Sequence, residues 1–306
     1  MVAEGARVMA FVRPTSRIEA LRELGVECRM VDIRDRRAVL AELCDVTTVY
    51  HVAAAYRQEH ADQFEFHRVN VEATRNLLEA AGERGVGRFV HCSTVGVQGH
   101  IEHPPATEEY RFAPGDHYQR SKLEGELVAR AYGARGLPVV VVRPVGIYGP
   151  GDTRFLKLFR AVDRGRFVMI GSGRTLYHLT YVDDLVDGIL RAGTRPEAVG
   201  EVFTIGGPRY TTLSELVAIV ARVLGRPRPR LRVPLAPVLL AATVCERICR
   251  AIGVDPPLYP RRVEFFANDR AFDIAKARRL LGYEPRVDLE AGLARTASWY
   301  RANGWL

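Results

Sequence analysis

The sequence predicts an α/β fold: a doubly wound parallel sheet followed by a smaller, mainly helical carboxyl-terminal region. Three observations predict it. Short apolar, β-rich runs alternate with helical patterns through the first half, which implies parallel strands joined by right-handed crossovers. After Gly151 the pattern shifts to helices joined by short strand-like pieces and Pro-rich connections. The 306 residues are 47% apolar and 26% charged, enough to bury a normal core in one large or two modest domains.

Taken in order, the expected strands are residues 8–12, 28–31, 47–52, 88–92 and 139–142, with helices over 17–24, 36–43, 64–84 and 117–132. A sheet of this kind places its ligand crevice at the carboxyl ends of the strands. Further helices are expected over 154–164, 212–224, 237–252 and 289–303, with Pro-rich connections at 226–237 and 255–260. The chain is expected to return to the first domain near 182–192 and 201–205. That gives a discontinuous division, residues 1–150 with 182–206 against 151–181 with 207–306.

The net charge of +8 comes from scattered arginines, densest at Arg226-Pro227-Arg228-Pro229-Arg230-Leu231-Arg232. Such a balance suits nucleic acid, an anionic membrane surface or phosphorylated small molecules, or it is simply a solvated basic surface. No nucleic-acid recognition motif is present, so a nucleic-acid partner is not expected. Five scattered cysteines, an odd number, argue for a reducing compartment, hence the cytoplasm, and against a disulfide framework. Cys245 and Cys249 have no second ligand pair nearby, so no metal is expected. The apolar stretch 233–245 is too short to span a bilayer, which leaves peripheral membrane contact open.

Tyr118 and Lys122 carry the strongest chemical signal. Four residues apart, they share one helix face, where an ammonium favours the phenolate of a neighbouring tyrosine. Such a tyrosine moves a proton at a carbinol while a nicotinamide takes or gives hydride. Alone, the pair is also compatible with a solvated helix face. Upstream, a strand ends in Ser93-Thr94, where a hydroxyl enters the crevice and polarises a substrate oxygen, or caps the strand end.

At these residues the chain resembles the extended short-chain dehydrogenases, the NAD-dependent epimerase/dehydratase family. The landmarks run in order along nearly the whole chain. They are Asp32-Ile33, His51-Val52-Ala53-Ala54-Ala55, Asn70-Val71 with Thr74-Arg75-Asn76-Leu77, Ser93-Thr94, Tyr118/Lys122, the run from Arg143 to Gly151, Tyr181-Val182-Asp183-Asp184-Leu185, and Lys276-Ala277 before Leu281-Gly282-Tyr283. The resemblance implies a Rossmann-like first domain that holds a dinucleotide and a carboxyl-terminal region that holds substrate. It implies Tyr118 as general acid/base, with Lys122 lowering its pKa and bonding the nicotinamide ribose. Thr94 is implied as the catalytic hydroxyl, with Ser93 beside it. Asp32 and Ile33 are implied at the adenine, Ala53 and Ala54 on the cofactor wall, Pro144 at the nicotinamide and Asn70 as an organiser of the site, or else a helix cap. Gln98, Tyr148, Tyr177 and Arg262 are candidate substrate contacts. Helices 64–84 and 117–132 form a dimer interface in relatives, so a homodimer is implied.

Three departures qualify the resemblance. The family opens with a strand and a Gly-x-x-Gly-x-x-Gly loop that holds the pyrophosphate, whereas residues 1–7 here read as the tail of the helix after that loop. Loss of that central strand would leave its neighbours unpaired. The expectation is a start placed too late or a fragment, the competing view is a degenerate relative, and dinucleotide binding by the chain as it stands is expected to be weak. Second, Arg13 follows the first visible strand where NAD-preferring members place an acid, which predicts NADP(H) over NAD(H). Third, Val95-Gly96 follow Thr94 where 4,6-dehydratases carry Asp-Glu, and 177–180 lack the Arg-Asp pair of many sugar-nucleotide epimerases. The apolar helix 237–252 resembles the lid of relatives that act on sterols or flavonols, or is an ordinary packed helix.

The reading is therefore an NAD(P)-dependent oxidoreductase that transfers hydride at a secondary alcohol or ketone, with a hydrophobic substrate or a nucleotide sugar. The alternatives are a nucleotide-sugar 4-epimerase and a non-catalytic relative that has lost cofactor binding.

Overall fold

The computed structural model of the chain describes residues 1–56, 63–260, 263 and 265–306. Two compact units emerge. Unit 1 comprises Met1–Val97, Pro114–Arg143 and Ile189–Phe203; unit 2 comprises Gln98–Ala113, Pro144–Gly188 and Thr204–Leu306.

Unit 1 begins with a single 3-10 turn, Val2–Glu4, ended by Gly5 in the left-handed region at φ 81°. The expected alternation follows as β1 Met9–Val12, α1 Glu19–Glu23, β2 Glu27–Met30, α2 Arg36–Glu42, β3 Thr48–His51, α3 Gln63–His67, α4 Ala73–Glu83, β4 Arg88–Cys92, α5 His117–Gly133 and β5 Val139–Pro144. Helix starts follow their capping residues. The Asp35 carboxylate accepts from the amides of Arg37 and Ala38, and the Asp116 carboxylate accepts from Gln119 N at 2.6 Å.

Every pairing recorded between β1 and β5 is parallel. β1 lies beside β2, while β3, β4 and β5 lie side by side in that order, with Thr48 opposite Arg88 and Phe89 opposite Val139. The strand β9, Val202–Ile205, adds to the free side of β5. This is the return of the chain expected near 201–205. Among the described residues the sheet is split, order β1-β2 and order β3-β4-β5-β9, with no strand between β1 and β3. Burial follows the pairing: β5 is buried at every position, whereas β1 and β3 bury only their last residues, Val12 and His51.

The core of unit 1 packs Phe89, Val139 and Val141 of the sheet against Leu77, Leu78 and Ala81 of α4 and Ala129 of α5. Each of the Val, Leu and Phe side chains among these gains about 1.5–3 kcal/mol from burial. One expected element differs. The helix read over 64–84 is three pieces, because a π-helical turn, Arg68–Glu72, separates α3 from α4. Such widened turns are local features that the apolar periodicity does not encode.

Unit 2 holds β6 Gly146–Tyr148, α6 Leu156–Asp163, β7 Met169–Ile170, β8 Leu176–Tyr181, α8 Leu213–Leu224 after β10 Tyr210–Thr212, β11 Arg232–Val233, α9 Leu235–Ala251, α10 Ala275–Leu281 and α11 Leu289–Ala302. Helix α7, Val182–Thr194, carries the chain from unit 2 back into unit 1. β8 is central in a three-stranded sheet, parallel to β6 and antiparallel to β10. Phe159, Leu213, Leu216, Val220, Leu293 and Tyr300 build its core. The Asp184 carboxylate pins the approach to α11 by accepting from the amides of Arg286 and Val287 at 2.9 and 3.0 Å.

Candidate active site

Helix α5 presents Tyr118, Lys122 and Glu126 at successive four-residue steps, so the three lie on one face. That face turns towards the carboxyl end of β4. The Lys122 ammonium is buried and donates to the Cys92 carbonyl at 2.5 Å. Burial pulls its pKa below the ordinary lysine value, an effect that the Cys92 and Glu126 charges oppose. The Tyr118 ring is part-buried and stands edge-on to the Tyr56 ring, with centroids 4.8 Å apart.

The adjacent hydroxyls at the end of β4 have different partners. Ser93 is buried and donates to Glu126 Oε2 at 2.7 Å. The same carboxylate takes Arg143 Nε at 3.0 Å and Nη2 at 2.5 Å, and both side chains are fully buried. Thr94 is part-buried, and its Oγ1 accepts from the Gly96 amide at 3.1 Å. Its proton has no acceptor among the described residues.

Asn70 lies in the π-helical turn and ties three segments together. Its Oδ1 accepts from Ala55 N at 2.8 Å, and its Nδ2 donates to Ala55 O at 3.2 Å and Ser121 Oγ at 2.9 Å. Ser121 Oγ in turn donates to the Tyr118 carbonyl at 2.8 Å. The turn approaches α5 so closely that a Cβ at Gly125 would lie 2.2 Å from the Asn70 carbonyl oxygen, so only glycine fits there. The clamp fixes the segment after β3, where Ala53 and Ala54 are exposed and Ala55 is buried.

Under this face lie two buried imidazoles, His51 and His91, with ring centroids 5.5 Å apart. The single Thr74 hydroxyl proton goes to Asn70 O, so the 2.9 Å bond between Thr74 Oγ1 and His51 Nε2 must be donated by the imidazole. Burial, reinforced by the Lys122 charge, lowers the His51 pKa to about 3 and that of His91 well below the histidine range. Both rings are therefore neutral.

The remaining predicted cofactor residues of unit 1 lie at the ends of its first two strands. Arg13 is exposed, with its amide on Ser16 Oγ. Asp32 is exposed, its carboxylate meets Arg34, and that guanidinium holds it below the usual carboxylate range. Ile33 is part-buried beside the unit 1 core. Pro144, Gln98, Tyr148 and Tyr177 belong to unit 2. Gln98 is buried, and its amide donates to the Thr107 carbonyl at 2.7 Å. Tyr148 and Tyr177 line one small cleft with Leu179, Arg209 and Asp288. Arg262 falls outside the described residues.

Sequence reasoning assigned no role to Glu126, Arg143 as its partner, or the imidazole pair. Two signals were available: Glu126 continues the four-residue spacing of Tyr118 and Lys122, and Arg143 is a charge at the end of the all-valine run 139–142.

Comparison with known proteins gives concordant findings. A model of the "NAD dependent epimerase/dehydratase family" matches residues 1–206. The sterol demethylase protein B of Methylococcus capsulatus is 30% identical over 100% of this chain and 94% of its own length. The crystal structure of gox2253 superposes with a TM-score of 0.84 at 28% identity, covering 99% of this chain and 93% of that one. A dTDP-glucose 4,6-dehydratase of Streptomyces venezuelae, solved with NAD bound, superposes with a TM-score of 0.74 at 29% identity, covering 97% and 88%.

Proposed function

Since the chain belongs to the NAD-dependent epimerase/dehydratase family and is an enzyme of that kind, we propose that it transfers hydride between NADP(H) and a secondary alcohol or ketone, with Tyr118 as general acid/base. The observation that carries this reading is the division of labour at the end of β4. Ser93 is committed to Glu126, whereas Thr94 keeps a proton to donate. It does so two residues after the carbonyl that anchors Lys122.

The residues of unit 1 fit a dinucleotide at its two ends. Ala53 and Ala54 offer an exposed apolar wall held by the Asn70 clamp, Lys122 offers a buried ammonium, and Arg13 offers an exposed cation beside Asp32. The nicotinamide, when bound, supplies or takes the hydride. In the oxidising direction Tyr118 takes the carbinol proton, and in the reducing direction it returns a proton to the carbonyl oxygen. Thr94 donates its hydroxyl proton to that same oxygen and stabilises the charge that develops there. Lys122 favours the phenolate form of Tyr118 electrostatically. Arg13 complements a ribose 2′-phosphate, which is the basis for NADP(H) over NAD(H).

The substrate proposed is an apolar secondary alcohol, in keeping with the sterol enzyme among the relatives. The test follows the absorbance of reduced nicotinamide with sterol-like alcohols and nucleotide sugars. A net change supports a dehydrogenase, and turnover without net change replaces it with an epimerase. Tyr118→Phe is expected to lower kcat by about 10²–10⁴-fold with cofactor affinity retained. Arg13→Ala is expected to lose more affinity for NADPH than for NADH, and equal losses refute the cofactor assignment.

A further inference from the structure

Helix α9 is inverted relative to an ordinary surface helix. Its one fully buried residue is Ala242. At about 100° per residue, Leu240 and Val244 lie opposite Ala242, Ile248 follows about 40° further round, and Ile252, one step past the helix end, continues the same drift. Leu240, Val244, Ile248 and Ile252 are 67%, 47%, 56% and 66% exposed. They form an exposed stripe that winds about 40° per four-residue step over about 18 Å. Leu239 is exposed elsewhere on the helix, and Leu231 and Val254 are exposed on the flanking segments. A lone exposed leucine is normal, but an aligned apolar stripe on the solvent face of a helix marks an interaction surface.

The charge around the stripe selects the partner. Residues 226–254 contain six arginines against one glutamate. Arg226 pairs with Asp163 and Arg250 with Glu246, while Arg232 donates to the Ser172 carbonyl. Arg228, Arg230 and Arg247 are exposed and have no acidic partner among the described residues. Arg247 borders the stripe, three residues after Val244 and on the Leu240 side of it. A second copy of the same patch would set these cations against one another, and an acidic protein surface would leave the aliphatic stripe unmatched. Exposed apolar side chains bordered by Arg247 and preceded in the chain by exposed arginines fit a surface with a hydrocarbon interior and a negative rim.

We propose that α9 docks this protein on an anionic lipid bilayer. Leu240, Val244, Ile248 and Ile252 enter the acyl boundary, and Arg228, Arg230 and Arg247 meet the lipid phosphates. No described helix is long and apolar enough to cross a membrane, so the attachment is peripheral. The surface lies wholly in unit 2 and is independent of the catalytic reading, because its test needs neither cofactor nor turnover.

The test is cosedimentation of the full chain with vesicles of phosphatidylcholine plus phosphatidylglycerol, and with phosphatidylcholine alone. Binding is expected on the mixed vesicles, at least about tenfold weaker on phosphatidylcholine, and reduced by salt. Ile248→Asp should abolish it, and Arg228→Gln and Arg230→Gln should each weaken it about fivefold. Circular dichroism confirms that these exposed substitutions leave the fold intact. Failure to bind the mixed vesicles overturns the proposal, as does equal binding to both vesicle types or binding that Ile248→Asp leaves unchanged. A lipid-free dimer that Ile248→Asp dissociates also overturns it, in favour of a second copy as the occupant.

Discussion

Removing the Glu126 carboxylate tests a heavily used buried group of the site. Three hydrogen bonds converge on it, one from Ser93 and two from Arg143, and neither Glu126 nor Arg143 is exposed. Glu126→Ala leaves the Arg143 guanidinium without its carboxylate inside the protein, which costs about 3–5 kcal/mol. The Ser93 hydroxyl loses its acceptor, which costs about 1–3 kcal/mol. The two losses share one group and are not additive, so about 4 kcal/mol is expected, a large part of a stability of about 5–15 kcal/mol. Urea denaturation followed by far-ultraviolet circular dichroism measures it. The double variant Glu126→Met/Arg143→Met removes both charges while keeping the volume, and should recover most of the loss. A loss below about 1 kcal/mol for Glu126→Ala, or a double variant less stable than the single, would refute the buried-pair argument.

Other outcomes follow from the same geometry. Thr94→Val should lower kcat by about 10²-fold or more with little change in stability. Ser93→Ala should do the reverse, losing about 1–3 kcal/mol in urea; similar kcat losses for both would remove the distinction between the hydroxyls. Gly125→Ala forces the α5 backbone away from Asn70 O and should destabilise by about 1–3 kcal/mol, with lower kcat because the Asn70–Ser121 clamp shifts. A variant as stable and as active as the parent would contradict that close approach. His51 is neutral when folded, with its pKa depressed to about 3, while the unfolded chain binds a proton near pH 6.5. The unfolded state therefore gains protons first as pH falls. The stability contribution is full above about pH 6.5 and is lost on acidification towards the folded value, about 2 kcal/mol of it by about pH 5. His51→Asn should flatten that part of the stability–pH curve, and an unchanged slope between about pH 7 and pH 5 would count against it.

Much of the fold was legible because its signals are local. Apolar runs of strand length and the 3.6-residue period depend only on near neighbours in sequence, and the strands and helices of unit 1 lie within a few residues of their expected bounds. The splitting of helix 64–84 was not legible, because the π-helical turn forms where Asn70 must reach both Ala55 and Ser121, residues 15 and 51 positions away. The exposed stripe on α9 was not legible either. Its sequence pattern is that of a packed helix, and only the surroundings decide which side is covered.

The sequence by itself determined the order of elements, the family, and the placing of Tyr118, Lys122 and Glu126 on one helix face. Each of these is written in residue types and short spacings. The resemblance implied Thr94 rather than Ser93 as the working hydroxyl, and only the tertiary structure supplied a physical difference between them. The two are adjacent and chemically alike, and what distinguishes them is a carboxylate 33 residues further along the chain, itself fixed by Arg143, which a strand pairing brings alongside. Long-range pairing sets which hydroxyl donates to the buried carboxylate and which does not, and residue type alone does not encode those partners.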